Sequence, residues 1–278
     1  MKRLTLLAIT ASALLAAGST SAAGSAAATS TLPALSLTIT NSSVTVTGAV
    51  QSGAVNVVST ATGVKEASVI LFLLKPGATF DEVEAAIQKA HGDTNVTSKY
   101  GSIVFDAEVA PGHSSEAQTY LQPGQYVAVV PGGEGKGSKA HALFTVTAAA
   151  SPAALPTPEA TIRSIEFAFR GPSTLHDGEL VRFENEGFLV HMDIAAPVKN
   201  MKAAKQAVKD LLAGNEKAVG KLISGPPAGF AGPVSHEAFQ QETITAKPGI
   251  YVEVCFMDTQ DGRSHSVLGM ERIIKIVK

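Results

Sequence analysis

A cysteine, a histidine and a methionine occur in this order near the end of the chain. Cys255 is the one cysteine in the sequence, His265 lies in the stretch that follows it, and Met270 precedes a closing predicted strand, residues 273–277. Thiolate, thioether and imidazole are soft ligands, and copper takes two histidines, one cysteine and a weak axial methionine in the blue-copper arrangement. These residue types predict a site for one copper ion if a second histidine joins them.

The second histidine has to come from an earlier part of the chain. His191 is the candidate, because it begins a predicted strand, residues 191–195, directly after the sequence FENEGFLV of residues 183–190. The predicted metal ligands are therefore His191, Cys255, His265 and Met270. No residue is predicted to act in catalysis.

Charge and cysteine content limit the class of protein. The 22 basic and 24 acidic residues give a formal net charge of −2, which provides no electrostatic footprint for nucleic acid or for anionic lipid. One cysteine cannot form an internal disulfide, and a lone thiol in an oxidising compartment is a liability unless it is buried, paired with another chain or bound to metal. The simplest alternative to a metal site is a buried, unreactive cysteine.

The N-terminal sequence has the pattern of a signal peptide. Lys2 and Arg3 precede an apolar stretch over residues 4–17, and small residues end the segment. This pattern predicts a signal peptide over residues 1–23 and a secreted or periplasmic protein. The apolar stretch is short for a membrane span and no later segment reaches the required length, so no transmembrane segment is expected in the mature chain. Retention of the signal segment as an anchor is left open.

The remaining chain divides into two units of ordinary domain size. Residues 24–32 are rich in Ser, Ala and Thr, and residues 148–160 in Ala, Pro, Ser and Thr, which predicts two linkers. The first linker follows the signal peptide, and the second separates a first unit, residues 33–147, from a second unit, residues 161–278.

The two units repeat one order of predicted elements. Each begins with strands of alternating apolar and polar residues, continues with one helix and returns to strands. The first helix begins at Thr79 with Glu82 completing a capping box, whereas the second is capped by Asn200 and stops at Gly214. Residues 225–233, rich in Gly and Pro, are predicted to form a loop. Two copies of one β-sandwich, each with a helical insertion, explain this order.

The second unit carries a motif order that resembles a known family. Residues 185–191, NEGFLVH, come before a strand; Pro-Gly-x-Tyr-x-x-x-Cys then ends at Cys255, and a histidine, Gly-Met and a strand follow. This order resembles the cupredoxins, the plastocyanin and azurin class of small copper β-sandwiches, over residues 160–278. The same scaffold with weaker signals covers residues 33–147. The resemblance implies an all-β fold of two tandem Greek-key cupredoxin-like sandwiches, with the four ligands given above.

The resemblance also implies a function. It suggests electron transfer or copper handling outside the cytoplasm, with one copper ion as cofactor and a redox or copper-delivery protein as partner. Multicopper oxidases and copper nitrite reductases also resemble tandem cupredoxins, but they need further histidines, usually as His-x-His pairs, and this chain has no such pair. The protein is therefore expected not to be an enzyme. The first unit is expected to bind no copper, because Ala67 and Val130 stand where His191 and Cys255 stand in the second.

One interval departs from the family pattern. Nine residues separate Cys255 from His265, whereas a short turn delivers both ligands in typical blue-copper loops. A longer loop can still fold back to the strand end. The alternative is a metal-free cell-envelope binding or interaction module on the same fold, in which Cys255 is a core residue, His265 a loop residue and Met270 a packing residue.

Overall fold

The computed structural model describes residues 32–64, 67–110, 112–132 and 137–278. The predicted signal peptide lies outside these residues and stays a prediction. Within the described part of the chain, no helix is both long enough and apolar enough to cross a membrane.

The first unit consists mainly of strands. Its helix α1, Phe80–Lys89, lies between β4 and β5 and is followed by a 3₁₀ turn, Thr94–Lys99. Within the described residues its strands β1 to β8 are Ala34–Ile39, Val44–Gly48, Gly53–Ala61, Ala67–Leu74, Gly101–Val109, Ser114–Leu121, Gly124–Val130 and Ala140–Val146.

The second unit follows the same plan. Its helices α2, Met201–Leu212, and α3, Glu216–Gly220, lie between β13 and β14, and a 3₁₀ turn, His265–Leu268, precedes the last strand. Its strands β9 to β17 are Ala160–Ile165, Ala168–Arg170, Thr174–His176, Leu180–Asn185, His191–Val198, Ala228–Val234, Phe239–Thr243, Gly249–Val254 and Glu271–Val277.

The order of strands defines two Greek-key sandwiches. The first unit has one layer in the order β2-β1-β3-β6 and a facing layer β5-β4-β7-β8. The second unit has β10-β9-β12-β15 and β14-β13-β16-β17, with the short β11 added beside β17. Each strand of the second unit except β11 thus has a counterpart in the first, and the helices are inserted between equivalent strands. The predicted all-β fold of two sandwiches with helical insertions is confirmed.

Alternation of apolar residues builds the cores of both sandwiches. In β1, Leu35, Leu37 and Ile39 are fully buried, while the residues between them are not. Successive side chains of a strand point to opposite faces, so these three enter the space between the layers. Each such side chain contributes about 1.5–3 kcal/mol of hydrophobic stabilisation.

Helices α1 and α2 begin directly after Thr79 and Asn200, the residues predicted to cap them. Thr79 Oγ1 accepts a hydrogen bond from the Glu82 N–H at 3.3 Å, and the Glu82 carboxylate accepts one from the Thr79 N–H at 2.9 Å. Asn200 Oδ1 accepts one from the Ala203 N–H at 3.0 Å. These bonds satisfy backbone donors that the first turn of a helix leaves free.

The prediction of a loop over residues 225–233 is wrong, because β14 occupies most of it. This strand pairs with β13 through two register shifts and packs on β5 of the first unit. A methyl group at Gly232 would lie 2.2 Å from Asp106 Oδ1 of β5. The glycine that suggested a loop therefore leaves room in a strand for the Asp106 side chain of the neighbouring strand.

The two units share one sheet. Strand β15 pairs with β6 at Gln241 and Gln118, which joins four strands of each unit into an eight-stranded sheet. The Gln241 amide donates to Gln118 Oε1 at 2.8 Å and to the Pro156 carbonyl at 3.1 Å. These contacts fix the second sandwich against the first.

Asp106 allows a prediction about pH. Its carboxyl group is buried against β14 and receives hydrogen bonds from Ser68 Oγ, and burial, with the nearby Glu108 charge adding to it, raises its pKa from 3.8 to about 8. The folded chain therefore holds a proton that the unfolded chain has lost, so this contribution to stability falls as the pH rises between these two values. We expect Asp106→Asn to show a smaller loss of unfolding free energy between pH 5 and pH 8 than the unchanged chain, measured by denaturant unfolding.

The exposed carboxyl of Asp81 provides the control. Asp81→Asn should leave the difference in the free energy of unfolding between pH 5 and pH 8 the same as in the unchanged chain. An equal loss in Asp106→Asn and in the unchanged chain would contradict the role assigned to Asp106.

Candidate metal centre

Pairing of strands brings two of the predicted ligands together. His191 begins β13, and Cys255 directly follows β16. These strands are antiparallel neighbours, with Ile194 opposite Val254, so the start of one lies beside the end of the other. Residues 191 and 255 therefore meet at the same end of the second sandwich.

The long loop after Cys255 returns the third ligand to the same place. Asp258 pairs with Ser264 across the loop, and the Thr259 N–H donates to the Arg263 carbonyl at 2.9 Å. The His265 N–H then donates to the Met257 carbonyl at 2.7 Å. The extra residues of the interval form a hairpin of their own, so the departure from the family spacing does not remove His265 from the site.

Three potential ligand atoms face one another at this end of the sandwich. The two Nδ1 atoms of His191 and His265 are 3.1 Å apart, and Cys255 Sγ lies 3.4 Å from His265 Nδ1 and 3.8 Å from His191 Nδ1. Metal bonds of about 2.0–2.1 Å to imidazole and about 2.3 Å to thiolate, as for zinc, place such atoms about 3–4 Å apart. The spacing of these donor atoms fits a metal ion without rearrangement of the chain.

Burial controls the protonation of the three groups. It lowers the pKa of His191 to about 3, with the neighbouring His265 contributing, and it lowers the pKa of His265 to about 4. Both imidazoles are therefore neutral near pH 7, which is the form that binds metals. Burial also raises the pKa of the Cys255 thiol to about 12, so the thiolate needs a nearby cation to form.

Both imidazole rings are closed off at Nε2, on the side away from Cys255. The Nε2 atoms of His191 and His265 are buried and have no hydrogen-bond partner. A methyl group at Gly187 would lie 2.6 Å from His191 Nε2, and the Phe167 ring meets the His265 ring edge-on with their centroids 5.3 Å apart. Only the Nδ1 sides, which face Cys255, are placed to bind a shared ion.

Met270 connects the cysteine to the loop through its backbone. Its N–H donates to the His265 carbonyl at 3.0 Å, and its carbonyl accepts from the Cys255 N–H at 3.1 Å. The side chain is fully buried in the apolar cluster that also contains Cys255. The position is that of a residue beside the site, and its role as the fourth ligand stays a prediction.

Asn185 and Gly187 belong to the sequence motif that precedes His191, and the motif alone gave neither of them a role. Asn185 is fully buried; its amide nitrogen donates to the carbonyls of Leu189 and Val234, both at 2.8 Å, and its oxygen accepts from the Gly187 N–H at 2.9 Å. These bonds shape the turn that leads into His191. A buried asparagine in a glycine-containing turn is a signal that the sequence carried.

Other contributors were missed by the sequence analysis. Glu166 accepts from the backbone N–H groups of Phe188 and Leu189, and together with Phe167 it forms a tight turn that covers the histidines. Phe167 has a φ of +57°, an uncommon value for a large residue. No sequence signal predicts that this turn would lie against a loop twenty residues further on.

A layer of buried charge lies next to the ligands inside the sandwich. Asp193, Glu253 and Arg272 each stand two residues from a predicted ligand on β13, β16 and β17, and therefore face the same side as that ligand. Glu253 is fully buried and pairs with Arg272. Burial, with the adjacent Glu253 contributing, holds the pKa of Asp193 well above its usual range. Counting every second residue along each strand, starting from the predicted ligands, would have identified this layer from the sequence.

Comparison with known proteins gives structural matches alone. No protein-family model matches the chain, and no curated protein matches it. The chain is similar to a reduced auracyanin from Roseiflexus castenholzii, with 18% identity, a TM-score of 0.26 and coverage of 42% of this chain and 95% of that one. A Cu-containing nitrite reductase from Thermus scotoductus matches with 13% identity, a TM-score of 0.26 and coverage of 88% and 68%. An azurin from Methylomonas sp. strain J matches with 12% identity, a TM-score of 0.24 and coverage of 42% and 96%.

These three matches lie below the similarity at which a solved structure could assign a class or a role to this chain. At TM-scores near 0.25 none of them serves as a template for the site. The fold class is defined by the chain's own strand order. The protein has a cupredoxin-like fold of two sandwiches, with a buried His-Cys-His cluster in the second.

The close approach of Gly187 to His191 yields a second prediction. Gly187→Ala would place a methyl group 2.6 Å from His191 Nε2 and 2.9 Å from Glu166 Oε1, so the imidazole or the turn must move. We expect a loss of about 1–3 kcal/mol in the free energy of unfolding, as is typical of overpacking, and a shifted His191 ring signal in NMR spectra.

Gly220→Ala is the matched control. A methyl group there has no heavy atom within 4 Å. The free energy of unfolding should therefore not fall, and the His191 ring signal should not shift. Equal behaviour of the two variants would mean that the glycine does not hold the imidazole in place.

Proposed function

We propose that the second sandwich binds one copper ion through His191, Cys255 and His265, with Met270 as a weak axial ligand. The observation that carries this proposal is the convergence of one sulfur and two nitrogen atoms within 3.1–3.8 Å of one another in a buried cluster. Neutral imidazoles and a protonated thiol, which loses its proton when a metal ion binds, are the expected metal-free form of such a site.

Copper is favoured over other ions by the types of ligand. The cluster contains no carboxylate, which makes magnesium, calcium or manganese poor candidates. Among divalent first-row ions, copper binds a given nitrogen and sulfur site most tightly. Two histidines, one cysteine and a distant thioether are also the blue-copper set rather than a closed tetrahedral zinc site.

The chain's own groups would adapt this site to electron transfer or to copper handling. Copper supplies a reversible one-electron couple. Cys255 Sγ also accepts a hydrogen bond from the Met192 N–H at 3.4 Å, and such bonds to sulfur tune a metal's potential. Burial excludes water from all three ligands. Strands on both sides hold the ligands in one arrangement, which keeps the rearrangement between oxidation states small.

The N-terminal sequence supports the setting that we propose for this function. We propose an exported protein, secreted or periplasmic, that exchanges electrons or copper with a redox or copper-delivery protein. We propose no catalytic role, since the cluster of His191, Cys255 and His265 is the one group of three such ligands within the described residues. The competing function is a metal-free envelope module, in which the thiol and the two imidazoles only hydrogen-bond one another.

A copper titration separates the two functions. Adding Cu(II) to the purified mature protein should produce an intense visible absorption band from thiolate-to-copper charge transfer that saturates at one equivalent. Cys255→Ser should lose the band, because the sulfur that donates charge is gone. Met270→Leu should keep it, because the axial contact is weak.

Two results would decide against the copper proposal. The absence of a visible band in the unchanged protein would favour the metal-free module. A band of equal intensity in Cys255→Ser would place the copper elsewhere on the chain.

A further inference from the structure

One residue of the first sandwich reaches both ligand-bearing segments of the second. Asn95 lies in the 3₁₀ turn after α1 and is 9% exposed. Its side-chain oxygen accepts a hydrogen bond from the N–H of Val190, the residue before His191, at 2.8 Å. Its side-chain nitrogen donates to the carbonyl of Asp258, in the loop that runs from Cys255 to His265, at 3.1 Å.

The orientation of this amide is fixed by a third partner. Asp93 Oδ1 accepts hydrogen bonds from both the backbone and the side-chain nitrogen of Asn95, each at 2.8 Å. An amide oxygen only accepts and an amide nitrogen only donates. With two acceptors on the nitrogen side and one donor on the oxygen side, only one orientation satisfies all of the contacts.

Apolar side chains from the same two segments enter the first unit. Val190 is buried in a hydrophobic cluster whose other buried members, including Phe80 and Val127, belong to the first sandwich, and Met257 packs against this cluster. Ser235, directly after β14, adds two bonds to the first unit: its N–H donates to the Ile103 carbonyl and its hydroxyl oxygen accepts from the Ile103 N–H, both at 2.9 Å. Both segments therefore rest on the neighbouring unit.

We propose that Asn95 is a positioning residue for the metal centre and that the first sandwich preorganises the site of the second. This inference rests on the proposed copper site. His191 and the loop that carries His265 are separate in sequence, and one amide ties the backbone next to both. Removing a group that helps to orient metal ligands typically lowers metal affinity by about 10–100-fold.

Removing the Asn95 amide tests this role in the full-length chain. In metal-free Asn95→Ala, the Val190 amide proton should exchange with solvent faster than in the unchanged chain. In the copper-loaded variant, the affinity for Cu(II) should fall by about 10-fold or more, and the thiolate-to-copper band should shift in position.

Thr97→Val provides a control within the same turn. Thr97 is also buried, and its hydroxyl donates only to the Thr94 carbonyl, at 2.7 Å, which lies inside the turn. This variant should leave Val190 exchange, copper affinity and the band as they are in the unchanged chain. If Asn95→Ala does not fold, Asn95→Ser is measured instead, because its hydroxyl keeps a small polar group in the turn but is too short to reach both Val190 and Asp258.

The outcomes separate this inference from the proposed function. A missing band in the unchanged protein removes the copper site, and the inference with it. A normal band together with unchanged affinity, band position and Val190 exchange in the Asn95 variant overturns the inference alone. Equal changes in the Asn95 and Thr97 variants also overturn it, because they would reflect general loosening of the turn.

Discussion

Three buried donor atoms from separate parts of the chain have to meet at one end of the second sandwich, and most of the surrounding structure serves this contact. Pairing of β13 with β16 sets His191 beside Cys255, and a hairpin within the loop brings His265 back. Packing against Gly187 and Phe167 turns both Nδ1 atoms inward. Burying these polar groups next to one another costs free energy, so the fold must compensate elsewhere.

An extensive interface joins the two sandwiches. A shared eight-stranded sheet, the close contact of β14 with β5 and the bonds of Asn95 all cross it. The same interface buries the Asp106 carboxyl. Inside the second unit, Asp193 and Glu253 are buried beside Arg272. Charged groups in a core seldom increase stability, so these residues are not explained by a gain in stability.

Much of the architecture could be predicted from local patterns, whereas the support of the site could not. Alternating residues revealed the strands, and Thr79 and Asn200 revealed the starts of the helices. The types and order of the predicted ligands indicated the cluster that His191, Cys255 and His265 form. Residues 225–233 were misread, because a glycine that permits close packing has the same composition signal as a loop. Asn95 carried no signal, since its partners in the second unit lie about a hundred residues or more away in the chain.

X-ray absorption at the copper K edge, on the full protein loaded with one equivalent of copper, tests the central claim most directly. The account predicts a first shell with two nitrogen atoms at about 2.0–2.1 Å and one sulfur atom at about 2.3 Å, taking zinc bond lengths as a guide. A shell of nitrogen and oxygen atoms without sulfur would contradict it, because the Cys255 thiolate would then take no part in binding.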